Sequence, residues 1–202
     1  SFLNTVMSNK GDSKLEHNQL QLSDVPDYIV SMVNAASNGK LDISGKKMAI
    51  EGSKLYHEIN KHSNAEIEAS RGQIPLNGSD ISNIIDTMYN PDYVEYVSNG
   101  LATNQREAFA LIKADGGYIV LVENVGGKRN PNIVPEQIIH FTDKKMDRFL
   151  NGEVSIADII YENKTRKGTV ESNVEDIKNR VTAAQLAQGA SAHTSETSQR
   201  SP

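Results

Sequence analysis

The stretch at residues 81–97 reads ISNIIDTMYNPDYVEYV, and its hydrophobic period changes partway along. Its first half carries apolar residues at every third or fourth position, namely Ile81, Ile84, Ile85, Met88 and Tyr89. This spacing predicts an amphipathic helix, which should end at Asn90 because the residue before a proline disfavours helical backbone. From Tyr93 onward the period is two, as in a strand. The stretch therefore predicts a helix that leads directly into a sheet.

A shorter helix and two strands are predicted upstream of this stretch. Ser23 is a good capping residue and Pro26 is tolerated in a first helical turn, so a helix is expected to start there. Asn38-Gly39 is a typical helix stop. Residues 40–43 and 47–50 are predicted strands because short apolar alternations follow the turn.

The strands downstream are predicted to form an antiparallel meander. Residues 108–113 and 118–125 flank Asp115-Gly116-Gly117, a strong hairpin signal. Residues 134–142 form a further predicted strand, and two short amphipathic helices follow on either side of Asn151-Gly152. Helices that precede a run of strands favour an α+β fold, with N-terminal helices packed on a small antiparallel sheet.

Composition divides the chain into three parts. Residues 1–22 are polar and lack a steady period, so we expect a lead-in or linker. Residues 23–164 form the α+β domain, and residues 165–202 form a polar, largely disordered tail because their last third contains almost no core-forming side chain. The chain begins at Ser1 rather than methionine, which predicts a module of a larger gene product.

The charge balance of the chain is acidic. Its 202 residues include 21 Lys and Arg against 26 Asp and Glu, which gives a net charge of −5 and a pI near 5.6. A protein that binds nucleic acid through its overall field is usually basic, so only a local basic cleft would fit that role here. Five basic residues do fall close together in sequence: Lys128, Arg129, Lys144, Lys145 and Arg148. Such a run is typical either of a cleft wall or of an ordinary solvated face.

Several classes of protein are excluded by missing features. The chain has no cysteine, so disulfides, thiolate metal sites and a cysteine nucleophile are excluded. No segment approaches the ~18 consecutive apolar residues of a membrane span, the N-terminus lacks signal-peptide architecture, and no membrane partner is expected. A Gly-x-Ser-x-Gly nucleophile elbow is also missing. We predict no cofactor.

The hexapeptide from His57 to His62, HEINKH, looks like a zinc-protease motif but lacks its geometry. Zinc ligation from one helix needs histidines at i and i+4, whereas residues five apart lie about 140° from each other around the helix. No metal site is predicted. Glu58 and His62 do have the i, i+4 spacing, and we interpret them as a surface pair.

Residues 56–73 are best suited to metal-independent cleavage of RNA. That reaction needs a base for the ribose 2′-hydroxyl, an acid for the leaving 5′-oxygen and cations for the charge on the phosphorus centre. The segment supplies His57, Lys61, His62, Arg71 and Gln73. His140 lies within a predicted strand, and we interpret it as a sheet histidine rather than a catalyst.

Three segments resemble the C-terminal domains of phage MuF-type minor head proteins and related polyproteins of phages and mobile elements. They lie at residues 52–76, which begin GSKLYHEI, at 90–97, NPDYVEYV, and at 122–135, which begin VENVGGKRNPN. The resemblance extends over roughly residues 41–163. These domains are grouped with the barnase–EndoU–colicin–RelE-like nucleases, in which one or two helices pack on a small antiparallel sheet. The resemblance therefore implies a barnase-like fold.

The resemblance also implies a function, an RNA-cleaving toxin domain that acts from a phage particle or in the bacterial cytoplasm. His57, His62 and Arg71 would be its catalytic residues, and we expect Lys61, Gln73, Lys128 and Arg129 to bind substrate. Its partners would be RNA and either a phage structural protein or a cognate immunity protein. The alternative is a non-catalytic phage module that binds a protein, or a degenerate nuclease fold, in which the histidines only satisfy local hydrogen bonds.

Overall fold

The structure is a computed structural model that describes residues 19–98, 107–123 and 132–165. These ranges contain short helices together with a three-stranded and a four-stranded sheet, so the predicted α+β class is confirmed. The chain divides into two units, Ser1–Asp158 and Ile159–Pro202. Both sheets belong to the first unit. Of the second unit only the end of the last helix is described, and the predicted tail beyond it lies outside the described residues.

The smaller sheet joins strands from distant parts of the chain. Strand β1 (Gln19–Asp24) pairs antiparallel with β2 (Lys47–Glu51), and β2 pairs in parallel with β6 (Asn132–Ile133). Residues 19–22, which we expected to belong to a lead-in, are therefore part of a sheet. Glutamine and leucine alternate there, and the leucines are the less exposed of the two. Leu22 packs against the hydrophobic core, and this burial stabilises the edge strand β1 in the sheet.

Helix α1 (Asp27–Ala36) begins four residues later than Ser23, the predicted cap. Pro26 occupies the N-cap position without a capping side chain. Ser23 instead contacts the hydroxyl of Tyr89 through its backbone nitrogen at 3.0 Å and its own hydroxyl at 2.8 Å. The predicted stop is confirmed, since Asn38 and the glycine after it both have positive φ, 51° and 78°. The side chain of Ser23, which was predicted to cap the helix, thus makes a tertiary contact with Tyr89 instead.

The predicted strand at residues 40–43 is wrong. These residues form no strand, yet Leu41 and Ile43 are 2% and 0% exposed. The alternation was therefore a true signal of burial. It was not a signal of pairing, because the backbone nitrogen of Leu41 donates to the hydroxyl of Ser37 at 3.0 Å and the segment is a loop.

The stretch that decides the fold is built as predicted. After α2 (Gly52–Lys61) and α3 (Ala65–Ser70), a 3-10 turn at Gly78–Asp80 leads into α4 (Ile81–Tyr89), and β3 (Tyr93–Val97) follows. Helix α4 buries the predicted face, including Ile81, Ile84 and Met88. The change of period thus marks the change from helix to sheet.

The larger sheet has the strand order β3-β4-β5-β7 and is antiparallel throughout. Its further strands are β4 (Ala108–Lys113), β5 (Tyr118–Glu123) and β7 (Gln137–His140). The predicted hairpin is confirmed. The predicted strand at 134–142 is shorter, and β6 leaves the meander to pair with the smaller sheet. The antiparallel meander is thus correct for the larger sheet alone.

Helix α5 (Asp143–Leu150) follows β7 after a single turn. Thr142 caps it, because its hydroxyl accepts a hydrogen bond from the backbone of Lys145 at 3.4 Å. Helix α6 (Ile156–Thr165) comes last. Among the described helices none is both long and apolar enough to cross a bilayer.

Gly117 in the β4–β5 hairpin is expected to be intolerant of a side chain. Its φ is +76°, and an added Cβ would lie 2.4 Å from the carbonyl oxygen of Phe141. Gly117→Ala should therefore destabilise the domain by more than about 2 kcal/mol, since positive φ and a backbone clash add. Gly152→Ala is the matched control, because its φ is +74° and nothing lies within 4 Å. Denaturant unfolding measures the free energy of unfolding of both variants. Equal losses in the two would contradict the prediction, because they would mean that the backbone shifts to relieve the clash.

Candidate functional site

The segment that supplied most of the predicted site residues folds into two helix ends and the loop after them. Glu58 lies on the last turn of α2, and His62 is the residue at which this helix ends. Glu68 lies on α3, and Arg71 is its C-cap. Gln73 forms an isolated antiparallel bridge with Phe141, just beyond β7. Two short helices thus bring their polar ends to one edge of the larger sheet.

Four side chains from this segment, Glu58, His62, Glu68 and Arg71, form a buried ion cluster, and we include in it Gln73, whose backbone nitrogen donates to the Glu68 carbonyl. His62 Nδ1 lies 3.1 Å from Glu68 Oε2, and Arg71 Nη1 donates to Glu68 Oε1 at 3.2 Å. On its other side, His62 Nε2 lies 3.7 Å from Glu58 Oε2. His62 is therefore held between two carboxylates, one of which also holds the arginine.

The cluster is fixed to the sheet as well as within itself. Glu58 Oε2 accepts a hydrogen bond from the backbone of Ile138 in β7 at 3.1 Å. The backbone nitrogen of Gln73 donates to the Glu68 carbonyl at 2.8 Å, and that of Ile74 donates to the His140 carbonyl at 2.7 Å. Because helix ends and sheet are joined in this way, the side chains are held in place before any ligand arrives.

Every member of the cluster is buried. Relative exposures are 4% for Glu58, 1% for His62, 0% for Glu68, 6% for Arg71 and 2% for Gln73. Burial of ionised groups is unfavourable unless they are paired. Lys61 supplies a further cation at the rim, with its Nζ 3.5 Å from Glu58 Oε1. Two carboxylates thus face one guanidinium, one ammonium and one imidazole.

Some polar atoms of the cluster retain hydrogen-bonding capacity. His62 Nε2, Arg71 Nε and both amide atoms of Gln73 are buried and lack a hydrogen-bond partner. Buried polar atoms in folded proteins are nearly always satisfied, so unpartnered ones are where a ligand can gain most. The cluster therefore offers one ring nitrogen, one guanidinium N–H and one amide to a bound group.

The predicted site residues are not all brought together. His62, Arg71 and Gln73 meet in the cluster, and Lys61 lies at its rim. His57 is exposed on α2 and belongs to a different face of that helix. Lys128 and Arg129 lie outside the described residues. Glu58 and His62 were interpreted as a surface pair, and this is wrong because both are buried and Glu58 bonds to β7.

A second polar group lies around His140 at the end of β7. The Tyr118 hydroxyl donates to Asp80 Oδ1 at 2.6 Å and accepts from Asn83 at 3.1 Å. The His140 ring stacks on Tyr118 with centroids 4.1 Å apart, and its Nδ1 lies 3.7 Å from Asp80 Oδ1. Desolvation is the largest effect and lowers the pKa of His140, whereas the negative charge of Asp80 acts to raise it. His140 lies in strand β7, as the sequence predicts, and its lack of a catalytic role stays a prediction.

Tyr118 is expected to make stability fall at alkaline pH. Desolvation, and next its hydrogen bond to Asp80, raise the pKa of Tyr118 from 10.0 to about 12. The unfolded chain loses this proton near pH 10 while the folded chain keeps it, so stability decreases as pH rises from about 10 toward 12. Tyr118→Phe should flatten that part of the profile in urea unfolding at each pH. Tyr93→Phe, at an exposed tyrosine, is the control, and an unchanged slope in Tyr118→Phe would contradict the argument.

The molecule is an α+β domain in which short helices lie at the edge of a small antiparallel sheet, and carboxylates hold a histidine and an arginine there. The family model described as phage-Barnase-EndoU-ColicinE5/D-RelE like nuclease3 matches residues 28–135, just over half of the chain. The chain belongs to this family and has its phage-associated, barnase/EndoU-like nuclease fold. No curated protein and no solved structure matches it. The whole buried ion cluster lies within the matched residues, whereas His140 lies beyond them.

Proposed function

We propose that this domain cleaves RNA without a metal cofactor, by acid–base chemistry at the buried ion cluster. The observation that carries the proposal is the position of His62, which lies between Glu58 and Glu68 while Glu68 also binds Arg71. An acid–base group and a cation for a phosphate are thus held together by one carboxylate. Membership of a nuclease-like family supports the choice of a phosphodiester substrate.

The proposed reaction is a transesterification at phosphorus. The ribose 2′-oxygen attacks the adjacent phosphate as its proton passes to a base, and the bond from phosphorus to the 5′-oxygen breaks as an acid protonates that oxygen. The products are a 2′,3′-cyclic phosphate and a free 5′-hydroxyl. Atoms and charges balance without an oxidant, a metal or another reactant.

The residues of the cluster divide these tasks by their chemistry and by their positions around His62. His62 exchanges a proton with the substrate through Nε2, since Nδ1 is occupied by Glu68. Glu58 is the second proton-exchanging group, because its Oε2 is 3.7 Å from the same Nε2. Arg71 stabilises the charge on the phosphorus centre, and electrostatic interactions of this kind are strong in a site that excludes water. Gln73 supplies an amide for orientation.

The setting of this activity follows from the same resemblance. We place the domain in a MuF-type or related phage polyprotein, where it serves as a toxin module and is met by an immunity protein. Two features support this setting. The family is associated with phages. The net charge of the chain is −5, which disfavours binding of the domain to the phage genome.

A second candidate function is a non-catalytic module that binds a protein partner. The observation that favours it is the burial of the whole cluster, since a substrate can reach His62 only after the covering side chains move. In this alternative the ion cluster only fixes α2 and α3 to the sheet edge. The two candidates differ in whether RNA is cleaved.

The test is incubation of the full-length chain with total RNA and with purified tRNA in the presence of EDTA. Cleavage products that end in a 2′,3′-cyclic phosphate and a 5′-hydroxyl are expected. Cleavage that requires an added divalent cation, or a folded chain that cleaves neither substrate, would overturn the proposal and favour the binding module. Circular dichroism of the same sample establishes that the chain is folded.

A further inference from the structure

Helix α5 segregates its charges around its axis. At about 100° per residue, Lys144, Lys145 and Arg148 fall within one sector of about 100°. Asp143 and Asp147 fall within about 40° of each other on another side. Two of the three apolar residues of the helix, Met146 and Phe149, are buried, and the third, Leu150 at its end, is exposed. We call the three cationic residues the basic stripe.

The basic stripe lies beside the buried ion cluster because the start of α5 is fixed to the loop that carries Arg71. Thr142 donates to the carbonyl oxygen of Gly72 twice, through its backbone nitrogen at 3.0 Å and its hydroxyl at 3.1 Å. The side chain of Lys145 lies across Gly72, with its Cδ 3.2 Å from the place a Cβ would occupy there. Gly72 separates Arg71 from Gln73 in sequence, so the side chain of Lys145 packs on the backbone between these two cluster residues.

Several other cations of the described residues pair with carboxylates, while Nζ of Lys145 in the stripe lies 5.6 Å from the centroid of the Phe141 ring. Ion pairs join Lys47 to Asp24, Lys54 to Glu136, Lys61 to Glu58, and Lys113 to Asp86 and Asp92. In the stripe, Lys144 is exposed. Arg148 pairs with Glu153 at 3.0 Å, but both side chains are at least half exposed, and such a pair contributes little and is easily exchanged. Three cations within one sector of a helix beside the cluster give this acidic domain a local contact for a polyanion.

We infer that the basic stripe of α5 binds the phosphate backbone of single-stranded RNA and leads it to Arg71. This inference rests on the proposed function, since it names how the substrate of that site is held. Single-stranded RNA is the form that fits, because in-line attack by a 2′-oxygen needs a backbone that can leave A-form geometry and because proteins reach such strands through basic grooves. Lys145 provides the contact nearest the reacting phosphate, and Lys144 and Arg148 contact its neighbours.

The experiment measures binding of a 2′-O-methyl single-stranded RNA, which cannot be cleaved, to the full-length chain by fluorescence anisotropy at several salt concentrations. Lys144→Gln with Lys145→Gln is expected to weaken binding and to lower the slope of log Kd against log salt by about 1.4, at about 0.7 per lysine. The matched control is Lys46→Gln with Lys47→Gln, an adjacent lysine pair at the start of β2 that changes net charge equally. It should leave the slope near that of the wild type.

Three outcomes would overturn the inference: equal losses in both double variants, an unchanged slope in the stripe variant, or equal affinity of the wild type for duplex RNA. Failure of the proposed function is distinguishable from these. If a cleavable RNA survives while binding depends on the stripe, the catalytic proposal fails and the binding surface stands. If cleavage requires His62 but not the stripe lysines, the binding surface fails and the catalytic proposal stands.

Discussion

Replacing His62 with asparagine is expected to reduce RNA cleavage by about 10²- to 10⁴-fold, the usual contribution of a general acid or base. Asparagine places an amide N–H near the position of Nδ1, so the hydrogen bond to Glu68 can persist while proton exchange at Nε2 is lost. Arg71→Lys should also lower the rate, because an ammonium keeps the charge but not the planar array of donors. Single-turnover cleavage of a short RNA at saturating enzyme measures the chemical step in each variant.

The His57→Asn variant tests which of the two histidines, His57 or His62, belongs to the site. His57 is exposed and lies on another face of the helix from His62, so this variant is expected to retain cleavage if the buried ion cluster is the site. Loss of cleavage in His57→Asn, together with normal cleavage in His62→Asn, would move the site to the exposed face and overturn the assignment. Thermal unfolding of all the variants shows whether a loss of rate reflects a loss of fold.

Replacing Glu68 with glutamine is expected to destabilise the domain by about 3–5 kcal/mol, the usual cost of removing one partner from a buried ion pair. Glu68 is 0% exposed and is the only carboxylate shared by His62 and Arg71 among the described contacts. Without its charge, a guanidinium is left in a buried place with one neutral acceptor. Urea unfolding of the full-length chain measures the difference.

Glu66→Gln is the matched control for this prediction. Glu66 lies two residues earlier in α3 and is exposed, and its backbone nitrogen donates to Asn64 Oδ1 at 3.1 Å. Its loss should change stability by less than about 1 kcal/mol, the range for a charge in the first turn of a helix. Similar effects in the two variants would show that Glu68 is not the centre of a buried network.

The elements predicted correctly from sequence are those whose signals are local. The helix at residues 81–89 and the β4–β5 hairpin follow from periodicity and turn chemistry, which depend on near neighbours in the chain. The errors have a common cause. The signal at residues 40–43 was burial without a pairing partner, and the cap expected at Ser23 was displaced by a contact with Tyr89, which lies far away in sequence. Parallel pairing of β2 with β6 has no local signal at all.

The candidate site was predicted in part for the same reason. His62, Arg71 and Gln73 were recognised because they are chemically suitable and near one another in sequence. Glu58 showed the correct i, i+4 spacing, but spacing does not reveal whether a pair faces solvent or a sheet. Glu68 carried no signal, since an acidic residue in a short polar helix is ordinary.

By itself, the sequence determined the α+β class, the order of helices before strands, the absence of thiol chemistry and the segment that holds the candidate acid–base residues. These properties depend on residue type and on spacing along one element. Only the tertiary structure decided that β7 lies against α2, that α5 lies against Gly72 and that His57 and His62 have different surroundings. The reason is physical: burial and pairing of a charge depend on which distant elements pack beside it, and that packing is a property of the whole fold.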